Sequence, residues 1–515
     1  MRETRGPDGH RRAPLRYAVA LAVVMGVATS GAPVQAGTDG AGATTDPSVT
    51  TTAPSQPRTQ AEARPRIATL ATPLGQVSDG RLPEADRLAS AISDELESEW
   101  LGPESRRAVT VRDALTGEHL VDANADTLVT PASTTKILAA AAIVTGLDPA
   151  HTFTTRVVAG DAPGEVVLVA GGDMLLARGR GDHEAVAGHA GVADLAAQTA
   201  ASLEGVPLDG PVSVRLDLDH VAGPAALDTW SDVWVDAGYT GRIVQLGLEE
   251  DRALPDVPSP AEPEEEVAGA FREALADEGL EVAGLEEADA EDGADPAEQT
   301  PADGITEGAT TDAASVTAPV PATELASVTS APVRDVLALA LATSDNAMVE
   351  QLARQAAVAD GATTDQDAVT AWVVRAVAED YGVDVTGVEI ADTSGLSDGT
   401  RIPVGVVADL LVAGADGSHP HLQGVLAAGG LPIAGYTGTL STRFHLPVHE
   451  EAIGTARAKT GSLPGVTSLA GTVVTRDGRL LVYAATADRI GEDGAVIEAR
   501  SALDELVAQL ARCGC

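Results

Sequence analysis

Residues 131–136 read Pro131-Ala132-Ser133-Thr134-Thr135-Lys136, and residues 137–144 continue as Ile-Leu-Ala-Ala-Ala-Ala-Ile-Val. The unbroken apolar run predicts a buried helix, and Ser133 is placed at the start of that helix. The spacing i, i+3 puts Lys136 on the same helix face as Ser133, one turn later. A serine nucleophile and a candidate base are therefore predicted to be neighbours.

Lysine is scarce in this chain, because Lys136 and Lys459 are the only two and the other basic side chains are arginines. An arginine stays protonated in proteins, whereas a lysine amine can lose its proton and act as a base. Each lysine opens or closes a short motif, Ser133-Thr134-Thr135-Lys136 and Lys459-Thr460-Gly461. If the two lysines remained by chance in a chain that otherwise uses arginine, they would not be expected to fall in two such motifs. An amine is therefore predicted to be needed at each of these two positions.

The chemistry of these motifs is nucleophilic catalysis by serine. A serine hydroxyl is a weak nucleophile until a base takes its proton, and a neutral lysine can do so. Free lysine titrates near about 10.4, so the pKa of Lys136 must be lowered by burial or by a second cation. Lys459 is predicted to be that cation and to attract a substrate carboxylate.

A third motif, Ser344-Asp345-Asn346, supplies further polar groups. Ser344 is predicted to relay a proton toward the leaving amine. The amide of Asn346 can accept from Lys136 and donate to a peptide carbonyl. Ser133, Lys136, Ser344, Asn346 and Lys459 are thus the candidate catalytic residues.

The segment Lys459-Thr460-Gly461-Ser462 is predicted to be a strand edge that lies along the substrate. Thr460, Gly461 and Ser462 are the candidate substrate-binding residues, with Gly461 letting the substrate backbone approach closely. The amides of Ser133 and Ser462 are predicted to form an oxyanion hole, in which one donor contributes about 10² to 10³ in rate.

Composition argues against two other classes of function. The net charge of −44 excludes phosphate binding by clustered Lys and Arg, so no nucleic-acid partner is expected. The spacing of His183-Glu184 and His189 does not fit the metalloprotease pattern, and neither lysine lies in a phosphate-binding loop. No metal and no cofactor is expected.

The N-terminus has the pattern of an export signal. Several arginines precede an apolar run that ends near Ala28, and Val34-Gln35-Ala36 offers small residues at the cleavage position. Residues 1–36 are therefore interpreted as a signal peptide, with an uncleaved anchor as the alternative, and the protein is expected to be secreted and associated with the cell wall. Residues 37–78 are interpreted as a disordered tether.

The rest of the chain is interpreted as a discontinuous domain, 79–151 and 326–515, with an α+β insertion at 152–325. The four-residue repeat of Leu88, Ile92 and Leu96 predicts one helix over 84–100, and flexible acidic loops are expected near 251–264 and 284–320. The remaining expected elements are helices at 192–203, 265–275 and 347–357, strands at 109–115, 118–121, 166–170 and 212–218, a hairpin at 467–475 and 480–485, and a final helix carrying Leu503, Leu506, Val507 and Leu510.

The three motifs in this order match the set found in β-lactamases and penicillin-binding proteins. The chain resembles the D-alanyl-D-alanine carboxypeptidase/endopeptidases, which are class C low-molecular-mass penicillin-binding proteins. Other segments that carry the resemblance are Asn124-Ala125-Asp126, Gly171-Gly172-Asp173, Asp392-Thr393-Ser394-Gly395-Leu396-Ser397, Leu431-Pro432-Ile433-Ala434-Gly435, Gly438-Thr439-Leu440 and Ala456-Arg457-Ala458. The resemblance covers most of residues 84–512. Met174 and Thr393 depart from the residues usual in the family, proline and glycine.

The resemblance implies a mixed α/β fold of the penicillin-binding/β-lactamase-like transpeptidase type, an antiparallel sheet flanked by helices. It implies an acyl-enzyme on Ser133, peptidoglycan peptides ending in D-Ala-D-Ala as substrates, and β-lactam antibiotics as inhibitors. Two alternatives stay open at this point, a β-lactamase-like hydrolase and a catalytically idle protein that binds cell-wall peptides.

Overall fold

The computed structural model describes residues 80–284, 323–491 and 495–514. The predicted signal peptide 1–36, the predicted tether 37–78 and all but the first residue of the predicted acidic loop 284–320 lie outside these residues. Within the described ranges, no helix is both long enough and apolar enough to cross a membrane.

The described residues form α-helices and β-strands, which are numbered in chain order. The α-helices are α1 Ala85–Ala91, α2 Ser93–Leu96, α3 Lys136–Gly146, α4 Val192–Leu203, α5 Asp232–Asp236, α6 Pro263–Asp277, α7 Val333–Thr343, α8 Asn346–Ala359, α9 Gln366–Tyr381, α10 Val404–Ala415, α11 Pro420–Val425 and α12 Val496–Arg512. The strands are β1 Arg107–Asp113, β2 His119–Ala123, β3 Thr154–Ala159, β4 Glu165–Val169, β5 Asp173–Leu176, β6 Ser213–Asp217, β7 Leu246–Leu248, β8 Glu324–Thr329, β9 Ala456–Leu463, β10 Val466–Val474 and β11 Leu480–Asp488. Short 3-10 helices include Glu99–Leu101, Ala132–Thr135 and Glu249–Asp251.

The main sheet has the order β2-β1-β11-β10-β9 and is antiparallel throughout. Every residue of its central strand β11 is buried. Val482 and Ala484 face the core that contains α3 and α10, whereas Leu481 and Tyr483 face the core under α12. The alternation of side chains along a strand thus places helices on both faces of the sheet.

Helix α3 runs through the middle of the larger core. All its residues from Lys136 to Val144 are buried, so the helix has no solvent-facing stripe. This explains why the sequence shows an unbroken apolar run there and not an amphipathic repeat. The mixed α/β class, with an antiparallel sheet flanked by helices, is confirmed.

A second, four-stranded sheet is formed by residues 154–329, in the order β6-β4-β3-β8. Its strands β3 and β8 are antiparallel neighbours, with Thr154 opposite Thr329, so the chain enters and leaves this region side by side. The predicted elements at 166–170, 192–203, 212–218 and 265–275 are present in this region as β4, α4, β6 and α6. The boundaries 152 and 325 of the insertion stay a prediction.

One element differs from expectation at the start of the described chain. The helix predicted over 84–100 is divided into α1, α2 and a 3-10 helix, with Ile92 outside helical geometry at φ −108° and ψ 5°. Leu88 and Ile92 are nevertheless fully buried under α12. Leu96, the third residue of the repeat, is only partly buried against the same core. The repeat thus identified two fully buried side chains, but it does not report whether the turns between them are continuous.

Candidate active site

Ser133 lies in the 3-10 helix Ala132–Thr135 that leads directly into α3. The residue before it, Ala132, has a positive φ of 51° although it carries a Cβ. Such backbone conformations cost energy and are concentrated at functional sites. Because the first amides of a helix have no intrahelical partner, the N–H of Ser133 is free to bind a ligand oxygen.

Lys136 is fully buried, and its ammonium nitrogen contacts three acceptors. Nζ donates to Ser133 Oγ at 3.1 Å, to Asn346 Oδ1 at 2.6 Å and to the backbone oxygen of Ser394 at 2.7 Å. The predicted contacts of Lys136 with Ser133 and Asn346 are both present. The contact with Ser394 is one that the sequence does not predict.

Lys459 forms a second group beside the first. Its Nζ donates to Ser344 Oγ at 2.9 Å and to the backbone oxygen of Thr460 at 2.8 Å. Ser344 ends α7 in the left-handed conformation, with φ 59°, which turns the chain between α7 and α8. The five candidate catalytic residues therefore converge in one place, although Lys459 contacts Ser344 and not Ser133.

Burial is the largest influence on the pKa values of both lysines. Burial lowers the pKa of Lys136 to about 8, and the charges of Asp392, Glu350 and Asp345 oppose this effect. Burial, and then repulsion by Lys136, lower the pKa of Lys459 well below its ordinary value. Both lysines are therefore easier to deprotonate than an exposed lysine, including Lys459, which the sequence predicts to keep its charge.

Strand β9 is the edge of the main sheet and borders the site. The N–H of Ala458 donates to Pro432 O at 3.0 Å, on the side away from β10. Because backbone groups alternate in direction along a strand, the amides of Thr460 and Ser462 point to this same open edge. The Ser462 amide therefore has the direction that the predicted oxyanion hole with Ser133 requires.

Gly461 is required by packing within the protein, a reason that the sequence does not predict. A Cβ at this position would lie 2.6 Å from Pro131 O and 3.1 Å from the amide nitrogen of Ser133, and would also collide with Ser468 Oγ. The glycine lets β9 pack against the turn that carries Ser133.

Residues 392–397 form a loop that presents the carbonyl of Ser394 to Lys136. The buried carboxylate of Glu350 accepts from the amides of Thr393 and Ser394 at 2.9 and 2.8 Å. Burial, and then the charge on Asp392, raise the pKa of Glu350 to about 7. Sequence reasoning missed Glu350, although a carboxylate one helical turn after the candidate site residue Asn346 was an available signal.

Asp392 holds the same loop from inside. It is completely buried and accepts from the amides of Gly395 and Ser397, from the hydroxyl of Ser397 and from Trp230 Nε1. Four donors on one carboxylate make a fully satisfied buried charge. In the sequence, Asp392 is noted only as part of a segment that carries the family resemblance. Its role in fixing this loop is not predicted.

The second sheet region also reaches the site. The backbone oxygen of Tyr239 accepts from Asn346 Nδ2 at 3.1 Å, and Thr229 Oγ1 lies 2.7 Å from Ser397 Oγ. One of the two N–H groups of Asn346 is thus occupied, which leaves the other for a peptide carbonyl. In the described part of the chain, no group of three or more His, Cys, Asp or Glu side chains is arranged to hold a metal ion.

Comparison with known proteins identifies the family of this chain. The D-Ala-D-Ala carboxypeptidase 3 (S13) family matches residues 88–269 and 264–510. Carboxypeptidase Rv3627c of Mycobacterium tuberculosis is 32% identical over 463 residues, which cover 88% of this chain and 89% of that protein. Carboxypeptidase DacB of Mycolicibacterium smegmatis is 31% identical over 431 residues, covering 83% and 84% of the two chains.

Solved structures show the same fold. Penicillin binding protein 4 (dacB) from Haemophilus influenzae aligns with a TM-score of 0.57 at 17% identity, covering 83% of this chain and 100% of that one. Its complex with a β-lactam aligns with a TM-score of 0.52, also at 17% identity, covering 81% and 99%. Since the family matches nearly the whole described body, the chain belongs to the D-Ala-D-Ala carboxypeptidase 3 (S13) family of serine peptidases.

Proposed function

We propose that the protein is a secreted, penicillin-sensitive D-Ala-D-Ala carboxypeptidase/endopeptidase that acts on peptidoglycan stem peptides through an acyl-enzyme on Ser133. The observation that supports this most is the contact of Lys136 Nζ with Ser133 Oγ at 3.1 Å, with the lysine fully buried. A buried amine whose pKa is about 8 holds a useful neutral fraction near neutral pH.

In the proposed reaction, Lys136 takes the proton of Ser133 as Oγ attacks the carbonyl between the two D-alanines. The negative oxygen that forms is bound by the amides of Ser133 and Ser462. The proton that Lys136 took then passes through Ser344 to the departing D-alanine amine, which breaks the peptide bond and leaves an ester on Ser133. Water then hydrolyses the ester and releases the shortened peptide.

Substrate binding is proposed to favour the protonated form of Lys459 and the neutral form of Lys136. A carboxylate brought close to Lys459 favours its protonated form and raises its pKa. Because the repulsion between two neighbouring ammonium groups is reciprocal, Lys136 then loses its proton more readily. Substrate binding would thus favour a charged Lys459 beside a neutral Lys136.

Intact-mass spectrometry after incubation with penicillin tests the acyl-enzyme. We expect a stable mass increase equal to the mass of the drug, and none in Ser133→Ala. The absence of an adduct on the wild-type chain would contradict the mechanism and favour an idle binding protein, whereas an adduct that is lost rapidly with drug turnover would favour a β-lactamase. The same spectrum of protein recovered outside the cell shows whether the mature chain begins after Ala36, as secretion with cleavage requires.

The rate of this acylation should depend on pH. Lys136 acts as a base only when it is neutral, so the rate should rise as pH increases through about 8, the pKa of Lys136, and level off above it. Penicillin acylation rates measured between pH 6 and 10 on the intact enzyme report this titration. A rate that is flat over this range, or that falls, would be inconsistent with a neutral lysine as the base.

A further inference from the structure

Arg500, in α12, is an arginine at the edge of the site to which the proposed mechanism assigns no role. Its Nη2 donates to Ser462 Oγ at 2.9 Å. Ser462 and Thr460 are two apart on β9, so their side chains share a face, on which Thr460 Oγ1 bonds Thr439 Oγ1 at 2.9 Å. Arg500 therefore contacts the Ser462 hydroxyl, which lies on the edge strand of the main sheet.

The charge of Arg500 has no counterion in the described part of the chain. The nearby carboxylate of Asp504 forms its ion pair with Arg443 instead, at 2.6 Å. The Nε of Arg500 is buried and has no hydrogen-bond partner. Burial, and then the charge of Arg443, lower the pKa of Arg500 to about 10, while Asp504 opposes them.

A partly buried cation without a counterion, with a buried Nε that has no hydrogen-bond partner, is unfavourable. Buried polar groups left unpaired in a native protein call for a specific reason. An anionic ligand that arrives at Ser462 would supply the missing negative charge. Because Ser462 Oγ accepts from Arg500, its own O–H is free to donate to such a ligand.

We infer that Arg500 is a positioning residue which, through Ser462, selects substrates with a free carboxylate on the residue that leaves. The inference rests on the proposed peptidase function and adds a specificity element to it. A carboxylate accepts from the Ser462 hydroxyl and lies in the field of the guanidinium, whereas a neutral amide gains nothing from that charge. Lys459 contributes from the other side of the strand, where it already contacts Ser344 and Thr460.

The test compares two substrates that differ only in this charge, diacetyl-L-lysyl-D-alanyl-D-alanine and its C-terminal amide. We expect the wild-type enzyme to cleave the acid with the higher kcat/KM. In Arg500→Gln the acid should lose about 10- to 100-fold in kcat/KM, mostly through KM, since a hydrogen bond or ion pair with a charged group is lost. The kcat/KM for the amide should change less than about twofold, so the ratio of kcat/KM between the acid and the amide should fall close to one.

Three further variants separate selection from folding. Ser462→Ala should reduce the ratio in the same way, and adding it to Arg500→Gln should give no further loss, because the two residues act as a unit. Arg500→Lys keeps the charge and should retain part of the preference for the acid that Arg500→Gln loses. Arg476→Gln, which removes one exposed arginine at the β10–β11 turn, should leave it unchanged.

Equal losses for the acid and the amide in Arg500→Gln would mean a purely structural role and overturn the inference. A wild-type enzyme that cleaves acid and amide equally well would also overturn it, without affecting the proposed peptidase function. A wild-type enzyme that cleaves neither peptide and forms no penicillin adduct would overturn the proposed function itself.

Discussion

Lys136→Arg is expected to slow the acylation of Ser133 by about 10²- to 10⁴-fold, the contribution of a general base. The substitution keeps a positive charge in the site, but a guanidinium does not give up its proton. The side chain must also fit where Nζ now contacts Ser133, Asn346 and Ser394 within 3.1 Å. The rate of penicillin adduct formation, followed by intact mass, measures the loss directly.

Lys459→Arg is the matched comparison, because it makes the same change in the other buried lysine. If Lys459 acts through its charge, this variant should lose distinctly less acylation rate than Lys136→Arg. The thermal unfolding midpoint of both variants shows whether either substitution disrupts the fold. Acylation by Lys136→Arg within tenfold of wild type, with the fold retained, would refute the assignment of Lys136 as the base.

Asp392→Ala is expected to lower the free energy of unfolding by about 3 to 5 kcal/mol, because several buried donors lose their acceptor and each unsatisfied group costs about 1 to 3 kcal/mol. The carboxylate is completely buried and accepts four hydrogen bonds, one of them from Trp230. Its removal leaves those donors without partners in a place that water does not reach. Urea unfolding of the full chain, read as the shift of the midpoint, measures the loss.

Asp398→Ala provides the control, since this carboxylate is exposed and lies in the same stretch of chain as Asp392. Its removal should change stability by no more than about 0.5 kcal/mol. If Asp392→Ala costs less than about 1 kcal/mol, the loop is held by other contacts. The position of Ser394 O beside Lys136 would then need another explanation.

The features that the sequence predicted well are those that depend on short distances along the chain. Ser133 and Lys136 are one helical turn apart, so elementary helix geometry makes them neighbours. The hairpin between β10 and β11 is joined by a short Asp-Gly turn whose chemistry is local. The contact of Lys136 with Asn346 is different, because it joins residues 210 apart in sequence and was expected only from the chemistry of the Ser344-Asp345-Asn346 motif.

The features that were missed or misread depend on direction and on distant packing. Gly461 was correctly identified as a position that needs glycine, but only the register of β9 shows that the missing Cβ would face Pro131. The contact of Tyr239 with Asn346 uses a backbone oxygen, which leaves no trace in residue identity. Arg500 is one arginine among many in the chain, and only packing shows that it lacks a counterion among the described residues.

The adjacent entry and exit of the region between β3 and β8 have an evolutionary consequence. A segment whose two ends lie side by side can be gained by an existing protein with little disturbance of the host core. Losing it again would be harder, because Asn346 and Asp392 would be left without Tyr239 and Trp230 as partners. Gaining this region is thus expected to be easier than losing it. Related proteins are expected to vary its outer surface while keeping the part that contacts the catalytic groups.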